Sequence, residues 1–295
     1  MYSGLTVKLH FCATMKLYFK ALPFLCAFFL IHSSAVAQYY YNDILNINKS
    51  NEEYNRLKKA NYKTVILESF EADDSPSEGF FCERKLNTDY SESVMVSKSN
   101  VTGEAALKSI YQDGRLEKTV STTSAVTNIT QISYDSIGRI LSIAVSTSGN
   151  ADSSLFVEER TYEYGSDGKL KMMTRTKNGK VVSLINFTYD NAGNLIEETP
   201  DRPTTDRKFY YYYDDKNRLT DVVRFSERAK RLLPDYMFLY SEDRPGFISQ
   251  MITVDESAQG YLVWRYAYTS EGLPEIQKCY SKDKQLVGTI QYEYR

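Results

Sequence analysis

From about residue 101 to the end of the chain, apolar and polar positions alternate in short runs. The runs are separated by clusters of Asp, Asn, Ser and Gly. A period of two is the period of a β-strand, and those clusters hold the residues that bend a backbone. One bend recurs in varied form: YQDGRL from Tyr111, YDSIGRI from Tyr134, YGSDGKL from Tyr164, YDNAGNL from Tyr189 and YDDKNRL from Tyr213. Looser copies are YSEDRPGFI from Tyr240 and YTSEGLPEI from Tyr268, and a final Tyr294-Arg295 ends the chain. Successive marker tyrosines lie between 23 (Tyr111 to Tyr134) and 30 (Tyr134 to Tyr164) residues apart. The position two before each marker is mostly apolar or aromatic: Ile132, Tyr162, Phe187, Tyr211, Phe238, Tyr266 and Tyr292. An apolar residue opens the return run at Leu116, Ile140, Leu170, Leu195 and Leu219. Strand, tight turn, strand is a β-hairpin. Within KMMTRTKNGKVVSLINFTY, Asn178-Gly179 predicts a second, two-residue turn in the same repeat unit. Each unit is thus about two strands, and the series predicts 14 to 16. Loops of varying length, such as PDRPTTDR (200–207) and SERAKRLLPD (226–235), fall on the rim opposite the motif turns.

Residues 38–100 read differently. Ser50-Asn51-Glu52-Glu53 has the form of a capping box and predicts a helix of two or three turns to about Ala60. NYKTVILESFE and FFCERKL then alternate as strands on either side of the turn ADDSPSEG. The expected organisation is a leader over 1–37, a helical cap with an atypical first hairpin over 38–100, and hairpin repeats over 101–295. The fold class is all-β. Successive antiparallel hairpins form one long twisted sheet, open or partly curled, with a short N-terminal helix. A cap at one end and the charged QYEYR at the other would protect the exposed strand edges.

The leader alters the inventory. Met15 to Lys20 is basic, Ala21 to Ile31 is apolar, and Ala35 and Ala37 make an A-x-A arrangement before Gln38. That is the three-part pattern of a secretory signal peptide cut after Ala37, with Met15 as the start. The apolar run is too short for a transmembrane helix, so the mature chain is expected to have none. Cleavage removes Lys8, Lys16 and Lys20 and leaves 33 basic against 38 acidic residues. A mildly acidic chain without a basic run is a poor nucleic-acid binder. His10 and His32 leave as well, which removes histidine-based nucleophile pairs, general bases and zinc sites. Cys82 and Cys279 remain, and in an exported chain they are candidates for a disulfide that would require the two ends of the sheet to meet.

Several chemistries can be weighed on the residues. The Asp-rich turns carry too few acids and a nearby Lys or Arg, so they read as turn chemistry, with no metal or other cofactor expected. The Φ-x-Tyr series reads as a packed aromatic ladder. In FYYYYDD, Tyr211 and Tyr213 fall on the ladder face, which puts Tyr210 and Tyr212 on the opposite face as candidates for stacking on a sugar or a protein partner. Asp73-Asp74, Glu158-Glu159 and Asp214-Asp215 are sequence neighbours, and alternation sends strand neighbours to opposite faces. They are therefore no case for a catalytic dyad, and no catalytic residue is assigned. A transmembrane barrel of 14 to 16 strands is a further alternative, but it needs an apolar outer band, and strands such as LKMMTRTK carry charge.

The Tyr-Asp-x-x-Gly-Arg/Asn-Leu motif at this spacing resembles the YD-repeat family, the Rhs-like proteins of bacteria and the teneurin shells of animals. The resemblance runs from Tyr111 to Arg295 and is closest in YDSIGRI and YDNAGNL. It implies a long antiparallel sheet that curls, in large members into a hollow shell around a toxin. This chain is far too short for such a shell and has no toxin-like domain after its last copy. The functional expectation is an exported, non-catalytic protein of the periplasm, cell surface or medium, which binds glycan or protein through a sheet face. The alternatives are a structural scaffold or partner subunit, a carboxylate-only hydrolase, and an outer-membrane β-barrel.

Overall fold

The computed structural model describes residues 38–100, 102–149, 155–201, 207–226, 230–254 and 260–295. The leader, with its basic, apolar and A-x-A regions, lies outside the described residues. The first six strands are β1 (Thr64–Glu71), β2 (Phe81–Leu86), β3 (Glu92–Ser99), β4 (Gly103–Gln112), β5 (Arg115–Thr123) and β6 (Val126–Tyr134). They are followed by β7 (Ile140–Gly149), β8 (Leu155–Tyr164), β9 (Leu170–Lys177), β10 (Lys180–Tyr189), β11 (Leu195–Pro200) and β12 (Phe209–Tyr213). The last six are β13 (Leu219–Ser226), β14 (Arg231–Tyr240), β15 (Ile248–Val254), β16 (Tyr261–Tyr268), β17 (Pro274–Ser281) and β18 (Leu286–Tyr294). The structure is all-β apart from one N-terminal helical segment, and every strand pairs antiparallel with its neighbours in sequence.

The sheet does not stay open. β1 pairs with β2 on one side and with β18 on the other, from Val65 opposite Tyr294 to Glu71 opposite Gly288. Eighteen strands thereby close into a barrel, which corrects the open or partly curled sheet expected from the sequence. Closure removes the edges that a cap and a charged terminus were expected to protect. Local periodicity fixes strands and turns but carries no signal for a pairing between residues more than 200 positions apart.

The hairpin turns behave as their residues dictate. At Asn178-Gly179 both residues have positive φ, 47° and 75°, as a tight hairpin turn between twisted strands requires. At each marker tyrosine from Tyr111 to Tyr268 the ladder register shifts by one residue just before the tyrosine. Such a bulge lets Tyr134 sit directly opposite Ile140 while Ile132 sits opposite Ile143, all on one face. That face is the barrel interior. Ile132, Ile143, Tyr162, Phe187, Tyr211 and Phe238 are buried there in one continuous core.

The helix also differs from expectation. α1 runs from Asn46 to Ala60, fifteen residues, and a seven-residue π-helical segment, Tyr39–Leu45, precedes it. Ser50 therefore lies inside the helix, and no side chain caps Leu45 at its start. The start of the helical segment is held by tertiary contacts instead. The Tyr39 and Tyr40 N–H groups donate to the Glu198 carboxylate in β11, 3.1 Å each. α1 lies across the motif end of the barrel. Asn55 donates to the Gly114 carbonyl of the β4–β5 turn at 3.0 Å, and Arg56 to the Gly272 carbonyl of the β16–β17 turn at 2.7 Å. On its inner face Tyr54 stacks on Tyr111 at 3.8 Å between ring centroids, and Leu57 is fully buried. The helix covers the mouth of the barrel rather than an edge of the sheet.

Cys82 and Cys279 are buried thiols that form no disulfide. The ends of the sheet meet, yet the thiols do not pair. β1 and β18 stand between them, so three strand spacings separate the two, about 14 Å, against a Cα limit near 7 Å for a disulfide.

Candidate functional site

The motif turns at Asp135, Asp190 and Asp214 share one internal design. In YDSIGRI the Asp135 carboxylate accepts from the Ile137 and Arg139 N–H groups at 3.1 and 2.8 Å and pairs with the Arg139 guanidinium at 2.7 Å. Asp214 and Arg218 repeat the arrangement, also at 2.7 Å. These bonds hold both aspartates below the usual carboxylate range, although partial desolvation pulls the other way at Asp135. The arginine then reaches the next unit. Arg139 lies 4.3 Å from the Tyr164 ring centroid and Arg218 4.5 Å from that of Tyr240. The tyrosine of the next unit reaches back. Tyr134 donates to the Leu116 carbonyl, Tyr164 to Ile140, Tyr189 to Leu170, Tyr240 to Leu219, Tyr268 to Ile248 and Tyr294 to Pro274, all between 2.5 and 2.9 Å. The motif thus stitches neighbouring hairpins together. In the Asp135 and Asp214 turns both the acid and the arginine are engaged within the protein.

The interior beneath α1 carries a polar network that sequence reading missed. Arg160 in β8 pairs with Asp43 of the helical segment at 2.8 Å, and the Tyr162 hydroxyl donates to the same carboxylate. Burial pushes the Asp43 carboxyl up, against the pull of Arg160 and Tyr162. Arg175 donates to the Tyr39 hydroxyl at 2.6 Å, and its Nε lies 3.7 Å from Glu158. Arg224 in β13 pairs with Asp235 in β14, which also accepts from the Gln38 carboxamide at 2.5 Å. Glu198 is fully buried and accepts from the Tyr211 hydroxyl at 2.9 Å besides the two N–H groups. Burial pushes its carboxyl up to about 7. The one available sequence signal was that Glu198 and Arg160 interrupt the apolar positions of inward-facing strands.

The outer wall differs. Residues paired across the ladder share a face, and the outward set includes Glu83, Lys108, Lys118, Glu159, Arg265 and Lys278. Lys108 pairs with Glu92 at 2.6 Å and Lys208 with Glu197 at 2.7 Å on this side. One arc is less polar. Met237, Ile252, Val263 and Tyr280 lie in one row across β14 to β17, and Leu239 is beside them at 56% exposed. Tyr212 continues this row on the far side of Asp221 and is 46% exposed. Tyr210 pairs with Val223 and Glu197 on the same face, with the Lys208 ammonium 4.9 Å from its ring centroid. Tyr210 and Tyr212 therefore stand on the outer wall, while Tyr211 and Tyr213 point inward.

No protein-family model matches the chain, and no curated protein matches it significantly. Among solved structures it is similar to a porin-like protein from Bacteroides uniformis, at 12% identity over 79% of this chain and 96% of that one, with a TM-score of 0.38. A porin-like protein from Bacteroides vulgatus aligns at 10% identity over 79% of this chain and 98% of the other, with a TM-score of 0.27. A structure described as TcdB2-TccC3-TEV aligns at 13% identity over 72% of this chain, with a TM-score of 0.23; the aligned part is 12% of that chain. With TM-scores below 0.5, none of the three bears on what this chain does.

Proposed function

We propose that the protein is an exported, non-enzymatic β-barrel of the cell envelope that stands in water and carries a partner on its outer wall. Closure favours the barrel alternative over an open sheet with one binding face. The observation that carries the placement in water is the charge on the outward side. Four outward cations in mid-strand, Lys108, Lys118, Arg265 and Lys278, would cost on the order of 10 kcal/mol against lipid at mid-depth. The interior supports the same reading. It is packed with aromatic side chains and closed at the motif end by α1, so it resembles a core more than a channel. The motif modules fit a short member of the YD-repeat kind, in which the tyrosine series is a packing device.

The buried acids argue against a hydrolase. Glu198 has the raised proton affinity of a general acid, but it lies beneath the plug with every oxygen bonded to the protein, and no substrate reaches it. The partner surface in this reading is the arc of Tyr212, Met237, Leu239, Ile252 and Val263, a patch larger than scattered surface hydrophobes require. The same arc, with the absence of a free edge, is what favours a second reading as an outer-membrane barrel. One experiment separates the two. The chain beginning at Gln38 is purified without detergent and mixed with lipid vesicles. The aqueous reading expects a monodisperse protein that does not float with the vesicles; detergent dependence and protease protection in vesicles would establish the membrane reading. Tyr212→Ala with Leu239→Ala, probed by glycan array and by pull-down from envelope extract, then tests the arc.

A further inference from the structure

The helical segment enters the barrel as far as Gln38, which is only 5% exposed. Around it stand four carboxylates, Asp43, Glu158, Glu198 and Asp235, and three guanidiniums, Arg160, Arg175 and Arg224. Asp43 pairs with Arg160, Asp235 with Arg224, and Glu158 with Arg175, Arg160 and the more exposed Lys177 at 3.7 to 3.9 Å. Among the described residues Glu198 is the one carboxylate of the four without an ion pair, and it is the most deeply buried of them. Its carboxylate faces the chain at the N–H groups of Tyr39 and Tyr40. The next backbone nitrogen along is that of Gln38. The Gln38 carboxamide oxygen is itself buried without a partner.

The sequence independently marks the bond before Gln38 as the leader cleavage site. With Ala37 attached, the Gln38 nitrogen is a neutral amide. Hydrolysis by a leader peptidase breaks the Ala37–Gln38 C–N bond. Water supplies the hydroxyl to the Ala37 carboxyl and a hydrogen to the Gln38 amine, which takes up a further proton from solvent. We propose that this new α-ammonium is the missing cation of the interior network, pairing with Glu198, so that leader removal locks the N-terminal plug inside the barrel. The proposal rests on the reading as an exported protein and is independent of the outer arc. It explains why a carboxylate is kept in a site that otherwise pushes it towards its neutral form: the charge that balances it is made only on maturation. It also gives the Gln38 side chain a role. An N-terminal Gln cyclises when its amine attacks its own carboxamide carbon and expels ammonia, which leaves a neutral lactam. Asp235 holds that carboxamide, and the ion pair would hold the amine.

The test uses the full mature chain from Gln38, with the α-amine free or acetylated, in the Glu198 and Glu198→Gln backgrounds. Acetylation is expected to lower the folding equilibrium constant roughly a hundredfold with Glu198 present, the scale of breaking a buried ion pair, and to matter little in Glu198→Gln. An equal effect in both backgrounds, or none in either, overturns the proposal. If Glu198→Gln does not fold, the unmodified protein still decides. Its α-amine should resist both acylation at mildly alkaline pH and lactam formation until the chain is unfolded in urea, read by intact mass. A folded amine as reactive as the unfolded one overturns the lock. Sequencing the N-terminus of the exported protein separates the two readings: an exported chain that starts elsewhere overturns the lock and leaves export standing.

Discussion

The hydroxyl of each marker tyrosine offers a sharp test of how the barrel is held together. Tyr134, Tyr189 and Tyr240 each donate to a backbone carbonyl of the preceding hairpin at 2.7 to 2.8 Å. Replacing each with Phe keeps the ring and its packing and removes only that bond. A neutral hydrogen bond contributes about 1 kcal/mol net, with a range of about 0.5–1.5. Tyr134 and Tyr189 lie four strand spacings apart, about 19 Å, as do Tyr189 and Tyr240, so the effects should add. The triple variant is therefore expected to lose about 3 kcal/mol, a fall in melting midpoint on the order of 6–12 °C for a chain of this size. Tyr212→Phe is the control: its ring is on the outer wall, and its hydroxyl makes no bond to an adjacent hairpin among the described residues. The measurement is thermal and urea unfolding followed by circular dichroism. If the triple variant melts within a degree or two of Tyr212→Phe, the hydroxyls are incidental and the rings alone hold the hairpins together.

Three further outcomes follow from the interior and the turns. With the Gln38 amine acetylated, burial raises the Glu198 carboxyl from 4.5 to about 7. The folded state then binds a proton that the unfolded state releases, so stability should fall as pH rises from about 4.5 to 7, by about 3 kcal/mol in total, and Glu198→Gln should flatten that slope in pH-dependent urea titrations. Cys82 and Cys279 should resist alkylation in the folded protein, with the Cys279 thiol pushed up to about 12 by burial; both should label on unfolding, and a reductant should leave the melting midpoint unchanged. Gly272→Ala should destabilise by about 1–3 kcal/mol, because Gly272 has φ of 80° and a Cβ there would meet Phe247 at 2.8 Å; calorimetry reads the loss, and an unchanged midpoint would show that the turn is not under this constraint.

Hairpins were legible because their determinants are local. Asn178-Gly179 turns because both residues tolerate positive φ, and Asp135 folds its bend by binding N–H groups two and four residues on. The inward side of the Φ-x-Tyr series follows from strand alternation alone. What stayed hidden depends on partners distant in the chain. Closure is a pairing between β1 and β18, and the start of the helical segment is held by Glu198, 158 and 159 residues away. Ser50 and Glu53 satisfy the capping-box pattern, yet the helical segment extends past them, with Tyr40 packed against Tyr211 and Tyr41 against Tyr236 and Phe238 inside the barrel. The outer candidates Tyr210 and Tyr212 came from alternation, but the apolar row that continues from them is assembled from four other strands. The interior network was hidden for a deeper reason. A lone Glu or Arg in a strand normally reads as solvent-facing, and Glu198 and Arg160 find their partners only once the barrel has closed around the segment that carries Tyr39, Tyr40 and Asp43. Closure and plugging are therefore coupled: Asp43 meets Arg160 and Tyr162, and the Tyr39 and Tyr40 N–H groups meet Glu198, so removing the helical segment would strip these buried groups of partners they have in the closed fold.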